Sequence, residues 1–151
     1  MFNANGPILP QSVIPIVVGA HLRAEVGDRP LAEQVKSAIE AWKATNDVSA
    51  SPYPLVCTDM WYLNSVELRI QPTLSIGSPE VNAATAAFAS DISTLVEVPD
   101  AYRIQADPTF IDLKCSLWGI DTQQTQLGTD AFVKDVMGQW LGAFFGISVE
   151  N

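Results

Sequence analysis

Six polar residues in this sequence follow predicted strands and carry side chains that could do chemistry. In chain order they are His21, Thr58, Asp59, Ser78, Asn82 and Asp121. In α/β folds, ligands bind outside the carboxyl ends of the strands. If the strands lie parallel, these six side chains gather at one edge of the sheet, and the sequence predicts a functional site at that edge.

Two catalytic arrangements can be drawn from these residues. Asp59 and Asp121 offer carboxylate oxygens, which Mg²⁺ binds beside phosphate, although Asp121 also has a sufficient role as a helix cap. Cys57, His21 and Asp59 would supply a nucleophile, a base and an orienting group, but the apolar run around Cys57 is typical of a buried, inert thiol. One histidine and two distant cysteines lack the paired spacing of a zinc site. We therefore take Asp59, Asp121 and His21 as catalytic candidates and predict no metal and no cofactor.

The junction 73–82 joins a β-type run to a helix start through a glycine. Such a turn can cradle a phosphate at the helix N-terminus. Here Pro79 removes one N–H group, and Glu80 places a carboxylate where the anion would approach. The sequence predicts instead that Ser78 caps the helix and that Pro79 is its first residue. The candidate contacts for a neutral or weakly polar ligand are Thr58, Ser78 and Asn82.

Hydrophobic periodicity predicts alternating strands and helices. The predicted strands cover 13–22, 55–57, 72–76, 101–106 and 111–118. The predicted helices cover 28–44, the segment after the junction as far as 92, and 122–144. The order β-α-β-β-α-β-β-α favours a three-layer α/β sandwich, with a mostly parallel sheet of about five strands and helices on both faces. We predict one domain over 1–151, with an irregular N-terminal arm at 1–12.

Composition narrows the classes of partner and the compartment. Lys and Arg number 8 against 17 for Asp and Glu, giving a net charge of −9, and the cations are scattered, so we predict no nucleic-acid binding. No apolar run reaches the ~18 residues of a membrane span, and 1–7 lack the positive region of a signal peptide. Two cysteines without C-x-x-C spacing suit a reducing compartment. We predict a cytoplasmic protein that does not enter a membrane.

The predicted last helix carries a wider apolar band than one sheet face usually needs. Its bulky residues include Phe132, Val136, Trp140 and Phe144. A deeply buried helix explains this band as well as a subunit contact does. We keep both interpretations and predict a homo-oligomer that forms through this helix.

Two segments, 76–82 and 117–125, resemble short motifs in the α/β domains of archaeal surface-layer-type proteins. They read Ile-Gly-Ser-Pro-Glu-Val-Asn and Leu-Trp-Gly-Ile-Asp-Thr-Gln-Gln-Thr. Those domains have a G-G-P-x-x-N segment, whose second glycine is replaced here by Ser78, and a later glycine-acid-threonine turn that opens a helix. The resemblance implies an α/β fold and a structural, non-catalytic role.

Together these observations favour a soluble α/β domain that acts by protein interaction or small-ligand binding, without catalysis. The alternative is a small hydrolase or transferase with an acidic site, with or without Mg²⁺, at the carboxyl edge of the sheet.

Overall fold

The computed structural model describes residues 9–147. Most of the predicted N-terminal arm, 1–8, lies outside these residues, and Pro10–Ser12 forms a short 3₁₀ helix. The strands are β1 (Val13–Val18), β2 (Tyr53–Thr58), β3 (Thr73–Ile76), β4 (Thr94–Val98), β5 (Tyr102–Gln105) and β6 (Lys114–Gly119). They form a six-stranded sheet in the order β2-β1-β3-β6-β5-β4. The pairs β2-β1, β1-β3 and β3-β6 are parallel, whereas β5 runs antiparallel to both of its neighbours, β6 and β4.

Helices cover both faces of this sheet. They are α1 (Arg29–Thr45), α2 (Asp59–Leu63), α3 (Val66–Arg69), α4 (Ala83–Phe88), α5 (Thr122–Asp135) and α6 (Met137–Phe145). The core on one face takes side chains from α1, α5 and α6, and the core on the other takes them from α2, α3 and α4. The predicted three-layer α/β sandwich is confirmed, with six strands instead of about five. None of the helices within 9–147 is long and apolar enough to cross a membrane.

Strand β1 lies at the centre of both cores. All six of its residues are buried, as expected for a β-branched run that is covered on both faces. Ile14 and Ile16 pack in the α1 core, whereas Val13 and Val17 pack in the opposite one. The strand ends at Val18 and not at residue 22 as predicted, because the connection after β3 passes directly over it. A Cβ atom at Gly19 would lie 1.8 Å from the carbonyl oxygen of Val81.

The helix after the junction begins later than predicted, and its cap is Asn82 instead of Ser78. The carbonyl of Ser78 accepts hydrogen bonds from the N–H groups of Val81 and Asn82, so the chain makes a separate turn first. Asn82 then caps α4, with its Oδ1 accepting from the N–H groups of Ala84 (2.9 Å) and Thr85 (3.3 Å). The side chain of Asn82 also carries an NH₂ group, which can donate hydrogen bonds while Oδ1 caps the helix.

The Asn82 amide ties two strands together. Its Nδ2 donates to the carbonyl of Val17 at the end of β1 (3.1 Å) and to the carbonyl of Ile76 at the end of β3 (3.0 Å). The side chain is completely buried. A serine in this position could cap the helix but could not bond both strands, because one hydroxyl supplies a single donor.

A hairpin that the sequence analysis missed supplies the sixth strand. Helix α4 ends at Phe88 instead of residue 92, a 3₁₀ helix follows at Ala89–Asp91, and β4 pairs with β5. Asp100 in the connecting turn has a φ of 59°, a conformation that Asp adopts more readily than most residues. Apolar residues recur at helical spacing up to Ile92, so the sequence predicted a longer helix and no strand at β4.

The predicted C-terminal helix consists of two helices, α5 and α6, that meet at Val136. Phe132, Val136 and Trp140 are buried in the core of the single chain, and the Trp140 indole donates to the carbonyl of Leu113 (2.8 Å). Phe144 is half-buried. The wide apolar band is therefore explained mainly by packing within the chain, and the predicted homo-oligomer stays a prediction.

We expect Asn82→Ala to lower the free energy of unfolding by about 2 to 4 kcal/mol, because it removes a cap and both strand contacts from a buried position. Urea unfolding followed by circular dichroism measures this change. The matched control is Ser65→Ala, which removes only the cap of α3 and should cost about 1 kcal/mol. Equal losses in the two variants would show that the strand contacts of Asn82 contribute nothing.

Candidate functional site

A cavity of about 1030 Å³ lies at the carboxyl edge of β1, β3 and β6. It is lined by residues from the segments that follow these strands, within 22–28, 77–81 and 118–125. The chain leaves β1 for β2 on one side and later returns to β3 on the other, so the strand order reverses between β1 and β3. Such a reversal is where open α/β sheets bind ligands. We call this space the switch-point cavity.

The structure divides the six residues predicted for the site into two groups. Ser78 and Asp121 line the switch-point cavity. The other four, which are not among the residues lining it, are His21, Thr58, Asp59 and Asn82. Position at a strand end thus placed these residues at the edge of the sheet where the cavity lies, but most of the polar side chains at this edge serve the fold.

Asp59 shows this structural role most clearly. Its carboxylate is 5% exposed and accepts three backbone hydrogen bonds, from Ala20 (3.1 Å), Met60 (2.8 Å) and Ala83 (2.8 Å). These groups belong to the segment after β1, the first turn of α2 and the first turn of α4. Asp59 therefore joins three segments.

Three further polar residues act as local caps. Thr58 accepts from the N–H of Trp61 (3.3 Å) at the start of α2. Asp121 accepts from the N–H of Gln124 (2.8 Å), which confirms the predicted cap of α5. The exposed His21 accepts from the N–H of Arg23 through Nδ1 (3.1 Å).

The thiol chemistry considered for Cys57 has no support in the structure. Cys57 is buried, and burial raises its pKa to about 12, so the thiol stays protonated near neutral pH. Within residues 9–147, no cluster of three or more His, Cys, Asp or Glu side chains could hold a metal ion.

Asp28 is the cavity residue that the sequence analysis missed. Its side chain lines the cavity and is 8% exposed, and no group within 9–147 donates a hydrogen bond to its carboxylate. Burial raises the pKa of Asp28 to about 6, although the nearby Arg23 guanidinium acts in the opposite direction. Its oxygens are not among the fully buried unpartnered atoms within 9–147, so the carboxylate keeps contact with the solvent of the cavity. The lack of a donor within 9–147 distinguishes it from Asp59, which is paired.

The local backbone explains how Asp28 reaches this position. A π-helical turn, Ala24–Asp28, precedes α1 and places the residue at the cavity, and such turns often occur at functional sites. On the other side, Gly77 has a φ of 122°. A Cβ atom at Gly77 would lie 2.8 Å from Oδ2 of Asp28, so only glycine lets the carboxylate lie against the end of β3.

A signal for Asp28 was present in the sequence. The buried face of α1 includes Leu31, Ala32, Val35 and Ile39, and Asp28 precedes these residues at the same helical spacing. An acid on the apolar face of a helix needs an explanation. Its place beside Arg29 and Pro30 instead suggested a helix start, but the side chain makes no capping hydrogen bond.

The rim of the cavity is apolar, whereas its charged groups are mostly acidic. Leu22, Val26 and Ile120 line it and remain 75%, 72% and 71% exposed. The charged residues of the lining are Arg23, Asp28, Glu80 and Asp121. This arrangement can hold a small molecule with an apolar part at the rim and a polar group at Asp28.

The fold and this cavity define an α/β sandwich domain with a candidate small-molecule site at its topological switch point. Comparison with family models, curated proteins and solved structures gives no match for this chain. The resemblance to surface-layer-type domains therefore stays a prediction.

We expect Asp28→Asn to stabilise the protein in a pH-dependent way. The folded protein holds this proton more tightly than the unfolded chain, so the native protein loses stability as pH rises from about 4 to about 6. Near pH 8 the variant should exceed the wild type by about 2 kcal/mol, allowing for solvent screening, and near pH 4 the difference should vanish.

Urea unfolding at both pH values measures this difference. The matched control is Glu80→Gln, which removes the same charge from an exposed position in the same lining. It should change stability by less than about 0.5 kcal/mol at either pH. A difference between Asp28→Asn and the wild type that does not vary with pH would contradict the proposed burial of an unpaired carboxylate.

We expect Asp59→Asn to destabilise the protein, whereas Asp28→Asn should stabilise it. Asp59→Asn should lower the free energy of unfolding by about 2 kcal/mol near pH 7, because the new NH₂ group would face a backbone N–H. Asp121→Asn is the control, because this exposed cap binds one N–H and Asn caps equally well. Thermal and urea unfolding would contradict the structural role of Asp59 if its variant were as stable as the control.

Proposed function

We propose that this domain binds a small molecule in the switch-point cavity and that Asp28 is its main polar contact. One observation carries the proposal: a buried carboxylate faces a cavity and receives no hydrogen bond from any residue within 9–147. A ligand with a hydrogen-bond donor would supply the missing partner. The volume of about 1030 Å³ suits a small organic molecule.

Binding is better supported than the alternative, a hydrolase or transferase. Catalysis was predicted from Asp59, Asp121 and His21, but only Asp121 lines the cavity. Asp59 is occupied by three backbone donors. Among the described residues that line the cavity there is neither a cysteine nor a histidine, so its hydroxyl groups have no imidazole base beside them in the lining.

For the compartment we propose the cytoplasm. The support is that Cys57 and Cys115 are both free and buried, as is usual where thiols stay reduced. The structure offers less support for a homo-oligomer through the C-terminal helix than the apolar pattern of this helix suggested. Of its four predicted contact residues, only Phe144 lies outside the fully buried core.

The binding proposal can be tested without knowing the ligand. A soluble fragment library is added to ¹⁵N-labelled protein, and amide chemical shifts are recorded. We expect the responding amides to cluster in 22–28, 77–81 and 118–125. Val26→Trp should weaken these responses about tenfold, because a large ring at an exposed lining position obstructs the cavity.

The matched control is Val66→Trp, which makes the same change at a valine that is 66% exposed but does not line the cavity. It should leave the responses unchanged. The proposal would be wrong if no fragment moved these amides, or if the two tryptophan variants behaved alike.

A further inference from the structure

We propose that the ligand of the switch-point cavity is an organic cation, an ammonium group joined to an apolar body, and that Asp28 binds the ammonium group. This inference rests on the proposed small-molecule function and adds the chemical class of the ligand. It follows from three features of the cavity: its charge, the N–H groups around it, and its apolar rim.

The charge of the lining favours a cation. Asp28, Glu80 and Asp121 supply three carboxylates against the single guanidinium of Arg23. The ion pairs within 9–147 are Arg29 with Glu25 and Arg103 with Glu97, so Arg23 forms none with Asp28. The position beside the buried carboxylate is therefore open to a cation from outside, and the net charge of −9 would attract it.

At two helix starts beside the cavity, one N–H group is already bound by a side chain of the protein. The helical segment that precedes α1 has its N–H at Arg23 bound by His21. At the start of α5, the N–H of Gln124 is bound by Asp121. Pro79 has no N–H to offer. The protein thus caps these two helix starts with its own side chains, and an anion would approach the carboxylates of Asp28, Glu80 and Asp121.

The rim favours an organic ion over a metal ion. Leu22, Val26 and Ile120 surround the acidic site and are each more than two thirds exposed. An apolar body would remove these side chains from water, at about 25 cal/mol for each Å² covered. A bare metal ion would leave them exposed, and the part of the chain in the structure contains no cluster of metal ligands. An ammonium group matches a single carboxylate with two acceptor oxygens.

Phenethylamine is a suitable probe, with 2-phenylethanol and 3-phenylpropionate as neutral and anionic controls. Titrations near pH 8 and at low salt, followed by the amide shifts of the cavity segments, give the three dissociation constants. We expect the amine to bind about tenfold more tightly than the alcohol, and the acid to bind most weakly.

Variants assign this preference to Asp28. Asp28→Asn should weaken amine binding about tenfold while changing alcohol binding less than about threefold. Glu80→Gln, the matched control, should change amine binding less than about threefold, because Glu80 is exposed. Arg23→Gln should strengthen amine binding, because Arg23 is the only cation among the described residues that line the cavity.

The pH dependence supplies an independent readout. The groups that face the site are Arg23, Asp28, Glu80 and Asp121. Since Asp28 titrates near pH 6 and the amine stays protonated, amine affinity should fall about tenfold from pH 7 to pH 5. Asp28→Asn should abolish this fall, whereas Glu80→Gln should keep it.

The results separate the two proposals. If the alcohol or the acid bound to the cavity as tightly as the amine, the cation inference would be overturned and the small-molecule function would stand. The inference also falls if Asp28→Asn bound the amine normally, or if none of the three probes moved the cavity amides. In the last case, the fragment screen still decides the proposed function.

Discussion

The fold depends on one buried amide, Asn82, which holds the carboxyl ends of β1 and β3 together. Its Nδ2 bonds a carbonyl on each strand, and its Oδ1 caps α4. Asp59 reinforces this junction by accepting N–H groups from the segment after β1 and from α2 and α4. These two side chains fix the segments after β1 and β3, and other residues of the same segments line the switch-point cavity. The site is therefore held by buried polar contacts that lie outside it.

The polar residues of this edge fall into two classes that differ in hydrogen bonding. Asn82 and Asp59 are buried and well paired, which makes them stabilising. Asp28 is buried nearly as deeply but has no donor within the part of the chain that the structure describes. Buried polar groups in natural proteins usually have hydrogen-bond partners, and exceptions occur mainly at functional sites. Asp28, which has no donor within 9–147, is therefore a better functional candidate than Asn82 or Asp59. Depth of burial alone does not separate the two classes, whereas the count of hydrogen-bond partners does.

Sequence reasoning predicted the layers of the fold and drew attention to the sheet edge where the cavity lies, because both follow from local patterns. The β-branched run of β1 and the cap of α5 at Asp121 are examples. Sequence reasoning made Asp59 a catalytic candidate and Asn82 a ligand contact, because residue type and position show where a side chain begins but not which groups it contacts. Their partners include Ala20, 39 residues from Asp59, and Val17, 65 residues from Asn82. Such contacts depend on strand order, which one sequence does not reveal.

The cavity combines an unusual backbone conformation at Gly77 with a carboxylate, Asp28, that is costly to ionise. Gly77 adopts a positive φ, and Asp28 lies against its backbone with a raised pKa. Ionising this carboxylate is unfavourable because burial removes part of its water and no group within 9–147 donates a hydrogen bond to it. An ammonium group would supply both charge and donors, so the cost of ionising Asp28 would favour a cation over other ligands. A neutral ligand would supply a hydrogen bond to Asp28 but no charge, and an anion would supply neither. In the proposed site, the same carboxylate would therefore link stability, pH dependence and ligand class.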